Sequence, residues 1–326
     1  MSAPLIPLIR GSLAVDTILL HRGAFEARIL PHEISRLNVS FGIEQASDDF
    51  GGTAGNIAYG CSLLGDKPVL NACLGALDAQ PWLDRIASLG LSASAVRVVD
   101  GERGPRAYII TDSSNNQITA FQSGALRHNA PLPEGGFNFA ILAPDAAGSM
   151  VHGAERLTQL AIPYLLDPGQ ALPSLLEGQG GANFPAMLAG AQGLFVNDYE
   201  AELCAQALGK PFDQVARSIL FCARTLGAKG CELWIGGNDP VSIPVAKPAR
   251  VEDPTGCGDA FRSGFLHGLC RRWPLELCAQ LGSVMGSFAI EQSGGQNHRP
   301  SMAEIIARHE KNFGAFPSPK GARHPG

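Results

Sequence analysis

No stretch of this sequence reaches about 18 uninterrupted apolar residues, which argues against a membrane-spanning helix. The opening residues, MSAPLIPLIR, lack a basic segment leading into an apolar one, so they do not read as a secretory signal. Basic residues are scattered, and 25 Lys and Arg against 30 Asp and Glu give a formal net charge of −5. Nothing in that balance favours nucleic acid or an anionic membrane surface. The expectation is a soluble, cytoplasmic protein with neither as partner.

Common signatures are missing as well. The eight cysteines, at 61, 73, 204, 222, 231, 257, 270 and 278, form no C-x-x-C and no zinc spacing. They are expected to be reduced thiols that behave as small apolar residues. Cys257 stands apart, because amides at a helix start would lower its pKa and leave it sensitive to oxidation. Gly209-Lys210 is followed by proline, so there is no Walker A loop, and the Rossmann dinucleotide fingerprint and internal repeats are absent too.

What is there suggests a large α/β protein. The 326 residues are 45% hydrophobic, and 39 glycines and 23 prolines punctuate many short elements. That length allows one large domain or two medium ones. Ile6–Leu13 reads as a buried strand, with Asp16 just beyond its C-terminal end, where open α/β sheets bind ligands. A strand over Pro68–Leu74 and a helix over Trp82–Leu89 follow. From Phe139 the pattern becomes regular. Strands Phe139–Leu142, Tyr164–Asp167, Gly193–Asn197 and Cys231–Ile235 alternate with helices Ser149–Leu160, around Ala182–Ala189, Asp198–Leu208 and Phe212–Ala223. This predicts a parallel, doubly wound sheet. By contrast, Val96–Val99, Ala107–Thr111 and Gln117–Phe121 are β-like runs divided by turns, without helices between them. They are expected to join the region Thr17–Phe50, with its weak alternation around Leu37–Ile43, in a small β-lid. Leu275–Gln292 and a segment from Met302 read as the last helices.

Two glycine-rich stretches carry the chemistry. In VEDPTGCGDAFRSGFLHGL (251–269), Gly256 and Gly258 turn the chain into a helix with apolar residues Phe261, Phe265, Leu266 and Leu269 on one side. The first amides of a helix have no internal partner, so Gly256, Cys257, Gly258 and Asp259 would offer them to an anion. Asp259 lies in that first turn. It could cap the helix, or take a proton from a hydroxyl while the amides hold charge developing on a phosphoryl group. In FGGTAGNIAYGCSLLG (50–65), a di-glycine precedes a second helix, and Asn56 falls in its first turn. There it could cap the helix or hydrogen-bond hydroxyls.

The D-x-x-G-x-G-D pattern at 253–259 resembles the C-terminal signature of the ribokinase-like (PfkB-type) sugar and nucleoside kinases. GGTAGNIA at 51–58 resembles the same family's N-terminal signature. Asn197-Asp-Tyr-Glu200 resembles its N-x-x-E motif, and Thr225-Leu-Gly227-Ala-Lys-Gly230 its T-x-G-x-x-G loop. The resemblance covers roughly residues 6–313. It implies a three-layer, doubly wound, mostly parallel sheet with a small β-sheet lid. The kinase core would comprise residues 1–16, 51–95 and 125–315, the lid 17–50 and 96–124, and a disordered tail 316–326.

By the same resemblance, Asp259 is the catalytic base and Gly256–Asp259 the anion hole. Asn197, Thr225, Gly227, Gly230, Gly256 and Gly258 meet ATP, while Glu200, through water, and Asn197 help hold Mg2+. K+ is a candidate activator. GSLAVDTI, LNVSFGIEQ, NQITAFQSGA and DPGQ look closest to bacterial adenosine kinases. Asp16, Asn56 and Gly52 would then grip ribose, and Ser12, Ser40, Phe121 and Gln170 would surround the base. Gln122-Ser123 departs from the His-Pro of many relatives. The expected reaction is 5′-phosphorylation of adenosine to AMP. A sugar kinase of the same fold is the alternative, and a non-catalytic nucleoside-binding protein a further one. The oligomeric state is left open by the sequence, with a homodimer through the lid as the candidate assembly.

Overall fold

The computed structural model describes residues 3–27, 39–114, 116–177 and 180–316. The strands in chain order are β1 (Pro7–Arg10), β2 (Ala14–Leu20), β3 (Gln45–Gly51), β4 (Val69–Gly75) and β5 (Val96–Val99). Then come β6 (Arg106–Thr111), β7 (Gln117–Gln122), β8 (Phe139–Leu142) and β9 (Tyr164–Leu166). The last are β10 (Gly193–Asn197), β11 (Phe221–Thr225), β12 (Cys231–Ile235) and β13 (Val241–Ile243). The helices are α1 (Thr53–Leu63), α2 (Gln80–Ser88), α3 (Ala147–Gln159), α4 (Leu172–Leu176) and α5 (Gly180–Gly190). They continue with α6 (Asp198–Leu208), α7 (Phe212–Arg217), α8 (Cys257–Cys270), α9 (Leu275–Ala289) and α10 (Met302–Phe313).

Nine strands form one sheet in the order β13-β12-β11-β10-β9-β8-β1-β4-β5, parallel from β11 to β5 and antiparallel at β12 and β13. Parallel neighbours need crossovers, and the helices that make them cover both faces. The side chains record this with period two. Ile9, Ile141, Phe195 and Phe221 bury one way, against Ile57, Trp82, Phe265 and Met285. Leu8, Leu142, Leu194 and Cys222 bury the other way, against Met150, Leu157, Phe184, Cys204 and Val215. The result is the three-layer α/β architecture that the alternating pattern implies. Among the described residues no helix is long and apolar enough to cross a membrane.

The chain leaves β1 for β4 on one side and later returns to β8 on the other. That reversal opens a crevice beyond the carboxyl ends of β1 and β8, the position that favours a ligand site in such sheets. A separate four-stranded sheet, β3-β2-β6-β7, stands beside it. Its outer strand β7 is exposed along all six residues.

Several expectations need correction. Val96–Val99 is not part of the small sheet. It pairs in parallel with β4 at the edge of the large one, where Val99 joins Cys73, Ala125 and Ala130 in a small apolar cluster. The helix expected over Phe212–Ala223 ends at Arg217, and Phe221–Thr225 is a strand. Short apolar runs such as Ile219–Ala223 fit either period. Here Phe221 and Cys222 face opposite cores, which only a strand allows. Ile6–Leu13 stops as a strand at Arg10, because Ser12 N–H turns to the Pro144 carbonyl and Val15 N–H to that of Pro105. Asp16 therefore lies inside β2 rather than in a loop beyond β1. The strand expected around Leu37–Ile43 is Gln45–Gly51 instead; Leu37 and Asn38 lie outside the described residues, as does all of the tail but Phe316. The short strand β13 was not anticipated.

Candidate active site

Gly256 ends the approach to α8 with φ 76°, and a Cβ there would stand 2.7 Å from the Gly295 Cα. Only glycine meets both conditions, the left-handed backbone and the close approach. Asp253 braces the same turn: its carboxylate accepts the Thr255 and Gly294 N–H groups, each at 2.9 Å. Asp259 follows in the first turn of α8 and is half-buried. Its carboxylate accepts a hydrogen bond from Asn56 Nδ2 at 2.8 Å, so the two glycine-rich motifs meet side chain to side chain. Asn56 is itself buried in the first turn of α1, whose start is set by Gly52 at φ 81°.

Burial pushes the Asp259 carboxyl up to about 7, opposed by the Asn56 hydrogen bond and Arg262 and reinforced by Asp167 and Asp16. Asp16 is raised to about 6, by burial first and then by Asp49, its cross-strand partner. A carboxyl near 7 can both accept and release a proton at neutral pH, which is the requirement for a general base. Cys257 behaves contrary to expectation. Burial pushes its thiol up to about 12, with Asp253 and Asp259 adding to the effect. Its N–H is donated to the Pro254 carbonyl at 3.2 Å. All eight cysteines are free thiols, and every one except Cys257 is buried.

A cleft of about 760 Å3 opens in front of Gly258 and Asp259. Its far wall carries Asn197, Glu200, Thr225 and Gly227, and its side Asp167 and Gln170. Each comes from or just beyond the carboxyl end of β9, β10 or β11, which explains why residues far apart in sequence converge. Asn197 caps α6 by accepting from Glu200 N–H, while Glu200 accepts from Asn197 N–H at 2.9 Å. The helix-capping reading of this motif is thus met by the geometry. Burial raises the Glu200 carboxyl above its ordinary value. Both Glu200 oxygens accept from Asn197 groups, yet each keeps lone-pair capacity toward the cleft. That donor set suits Mg2+, a hard cation that keeps several waters and takes few protein oxygens.

Other expected residues lie elsewhere. Ser12 is buried beneath the start of α1, its Oγ accepting the Thr53 N–H at 3.1 Å. Gly52 adjoins it. Ser40 is exposed ahead of β3, and Phe121 is 53% exposed on β7. Gly230 does not line the cleft; it stands in the β11–β12 turn at φ 89°, where a Cβ would lie 2.2 Å from the Ile243 carbonyl oxygen. Its place is accounted for by the turn.

The sequence reading missed Arg262. This guanidinium, nearly inaccessible to solvent, bonds both Asp167 oxygens at 2.8 Å and the Gly258 carbonyl at 3.1 Å. It ties the glycine turn to the end of β9. An arginine following directly on Phe261, in the stretch of α8 that packs against the core, was the available signal, since such a charge is rarely buried without a partner.

Comparison with known proteins gives the family and the fold. The pfkB family carbohydrate kinase domain matches residues 27–302. A nucleoside kinase of Methanocaldococcus jannaschii is 31% identical over 284 residues, covering 84% of this chain and 90% of that one. Its crystal structure, described as an archaeal member of the ribokinase family, superposes with a TM-score of 0.82 at 27% identity over 95% of this chain and 100% of that one. The nucleoside kinase of Burkholderia thailandensis in complex with inosine superposes with a TM-score of 0.84 at 39% identity, covering 95% of this chain and 99% of that one. The chain belongs to the pfkB family of carbohydrate kinases, within its ribokinase-like nucleoside kinases, and is a phosphotransferase acting on an alcohol group of a nucleoside or sugar.

Proposed function

We propose that the protein transfers the γ-phosphoryl group of ATP to the 5′-hydroxyl of a purine ribonucleoside, adenosine giving AMP, with inosine as the competing purine. The observation that carries this reading is the Asp259 carboxylate, held near neutrality at the start of α8, in a cleft whose far wall is Asn197, Glu200 and Thr225. The sequence motifs favour adenosine. The Burkholderia relative, which binds inosine, supports a nucleoside over a free sugar.

In this mechanism the nucleoside lies between the small sheet and α1, its ribose hydroxyls meeting Asp16 and Asn56 beside Gly52. Ser12, Ser40, Phe121 and Gln170 surround the base. Asp259 accepts the 5′-hydroxyl proton as that oxygen forms its bond to the γ-phosphorus, and the bond to the ADP oxygen breaks. Amides at the start of α8 stabilise charge on the transferring group. Mg2+, held through water by Glu200 and Asn197 and by the phosphates, would supply the remaining charge neutralisation. Asn197, Thr225 and Gly227 hold the nucleotide, with Gly256 and Gly258 against its terminal phosphate. Proton abstraction accounts for about 10²–10⁴ in rate, and positioning with electrostatics for the rest.

The small sheet, β3-β2-β6-β7, acts as a lid that excludes water from the phosphoryl group. Its exposed outer strand β7 would pair edge to edge with a second copy. K+ is the expected activating cation, and the cytoplasm, where ATP is abundant, the expected location.

An ADP-release assay with adenosine, inosine, guanosine, cytidine, ribose and fructose tests the reading. Fastest turnover of a purine nucleoside is expected. Turnover confined to ribose or fructose would replace it with the sugar-kinase alternative, and calorimetric binding without transfer at any Mg2+ concentration with a non-catalytic one.

A further inference from the structure

A line of four polar side chains runs from the outside of α2 to Asp259. Arg85 donates through Nε to Gln296 Oε1 at 3.2 Å, and through a terminal nitrogen to the Gln296 carbonyl at 3.4 Å. Gln296 Nε2 donates to Asn56 Oδ1 at 3.1 Å. Asn56 Nδ2 then donates to Asp259 Oδ2 at 2.8 Å. Gln296 and Asn56 are buried, 3% and 7% exposed.

The order of donors is not arbitrary. A carboxamide has a donor end and an acceptor end of nearly equal shape, and its neighbours decide which way it turns. Arg85 has no acceptor, so it takes the oxygen of Gln296 and leaves the amide nitrogen facing Asn56. That nitrogen requires the Asn56 oxygen, which leaves the Asn56 NH2 toward Asp259. The guanidinium at one end and the carboxylate at the other thus polarise both amides in one sense. The rest of the structure holds the line in place. The Arg85 guanidinium lies 5.4 Å from the Phe50 ring centre and 4.9 Å from that of Tyr59. At Gly295 a Cβ would come within 2.7 Å of Asn56 Nδ2, so the glycine lets this loop lie directly on the asparagine.

We propose that Gln296 is a positioning residue for phosphoryl transfer: it locks the Asn56 carboxamide with its NH2 toward Asp259 and thereby keeps the base ionised. The inference rests on the reading of Asp259 as the base. With Asn56 free to turn, its oxygen could face the Asp259 carboxylate, and only the protonated acid would satisfy that contact. The surroundings leave little margin. Asp16 from β2 and Asp167 after β9 disfavour more negative charge there, Arg262 is the cation that favours it, and the neighbouring Cys257 thiol, pushed up to about 12, stays neutral.

The experiment is the pH dependence of kcat/KM with Mg-ATP and whichever of adenosine or inosine is turned over faster. Gln296→Leu and the near-isosteric Gln296→Glu both withdraw the donor, and each should move the acid limb up by about one pH unit. In an Asn56→Leu background the same replacements should move it no further. Arg85→Met, which keeps an apolar stem against the Phe50 and Tyr59 rings, should shift the limb in the same direction. Arg85→Lys, which keeps a cation against Gln296 Oε1, should restore it. A limb that overlays wild type in Gln296→Leu, Gln296→Glu and Arg85→Met overturns the inference. So does an equal shift in the Asn56→Leu background. Asp259→Asn separates the two levels: near-normal turnover there removes the base itself, whereas its collapse beside an unmoved Gln296→Leu limb removes only the relay.

Discussion

Arg262 and Asp167 stand 95 residues apart and meet in a two-pronged ion pair, both bonds at 2.8 Å and both side chains almost sealed from water. Replacing one partner strands the other charge. Arg262→Met should therefore lower stability by about 3–5 kcal/mol, read from urea unfolding. Because Arg262 also holds the Gly258 carbonyl, turnover of the folded fraction should fall with it.

Asp259→Asn keeps the size of the side chain and removes the proton acceptor. Nucleoside binding by calorimetry should persist while kcat drops by about a hundredfold or more. Near-normal kcat in this variant would displace Asp259 from the role of base.

Two raised carboxyls set the pH dependence, Asp259 at about 7 and Asp16 at about 6. For activity, kcat/KM should fall with an acid limb near pH 7 as Asp259 takes up its proton. For stability the sign is the opposite. Both folded values exceed the unfolded value of about 4, so the protonated groups stabilise the fold in full below about pH 4. That contribution is lost as pH rises through 6 and 7. Asp259→Asn should thus melt above wild type at pH 8, with the gap closing toward pH 4.

Gly51 leaves room for Asp16: a Cβ there would lie 2.2 Å from Asp16 Oδ2. Gly51→Ala should displace that carboxylate and raise KM for the nucleoside by about an order of magnitude, with less effect on KM for ATP. Equal changes in both constants would place Asp16 away from the acceptor.

A Cys257 thiol at about 12 carries almost no thiolate at neutral pH. Wild type and Cys257→Ser should lose activity to peroxide at the same rate. Faster loss in wild type would restore the oxidation-sensitive cysteine that the helix start alone suggested.

Much of this was legible in the sequence because local chemistry and global placement agree. Glycines before an apolar helix mark a backbone that must turn tightly, and Gly52 and Gly256 both take positive φ. The regular strand–helix alternation after Phe139 led to the parallel sheet for a similar reason, since strands buried on both faces read as short apolar runs. The failures occurred where tertiary partners decide. Nothing local to Phe221–Thr225 says that alternate side chains find opposite cores, and nothing local to Val96–Val99 says which of two sheets supplies a partner. Arg262, Gln296 and Arg85 were missed because their importance lies in what they touch 95, 240 and 211 residues away, respectively. The Ser12 hydroxyl oxygen receives the Thr53 N–H, a contact 41 residues away that nothing local to Ser12 announces.

Two of the chain's crossings between the large and small sheets touch one another: a Cβ at Gly52 would fall 2.5 Å from Ala14 N and 2.7 Å from the Ser12 carbonyl oxygen. They share a single pivot, and the same few residues lead into Asp16 on one side and Asn56 on the other. Any swing of the small sheet would therefore move Asp16 and Asn56 together, so that on the proposed reading shutting the door and grasping the visitor are mechanically one act. An engineer who grafts a foreign small sheet here to admit a different sugar would have to transplant both crossings together.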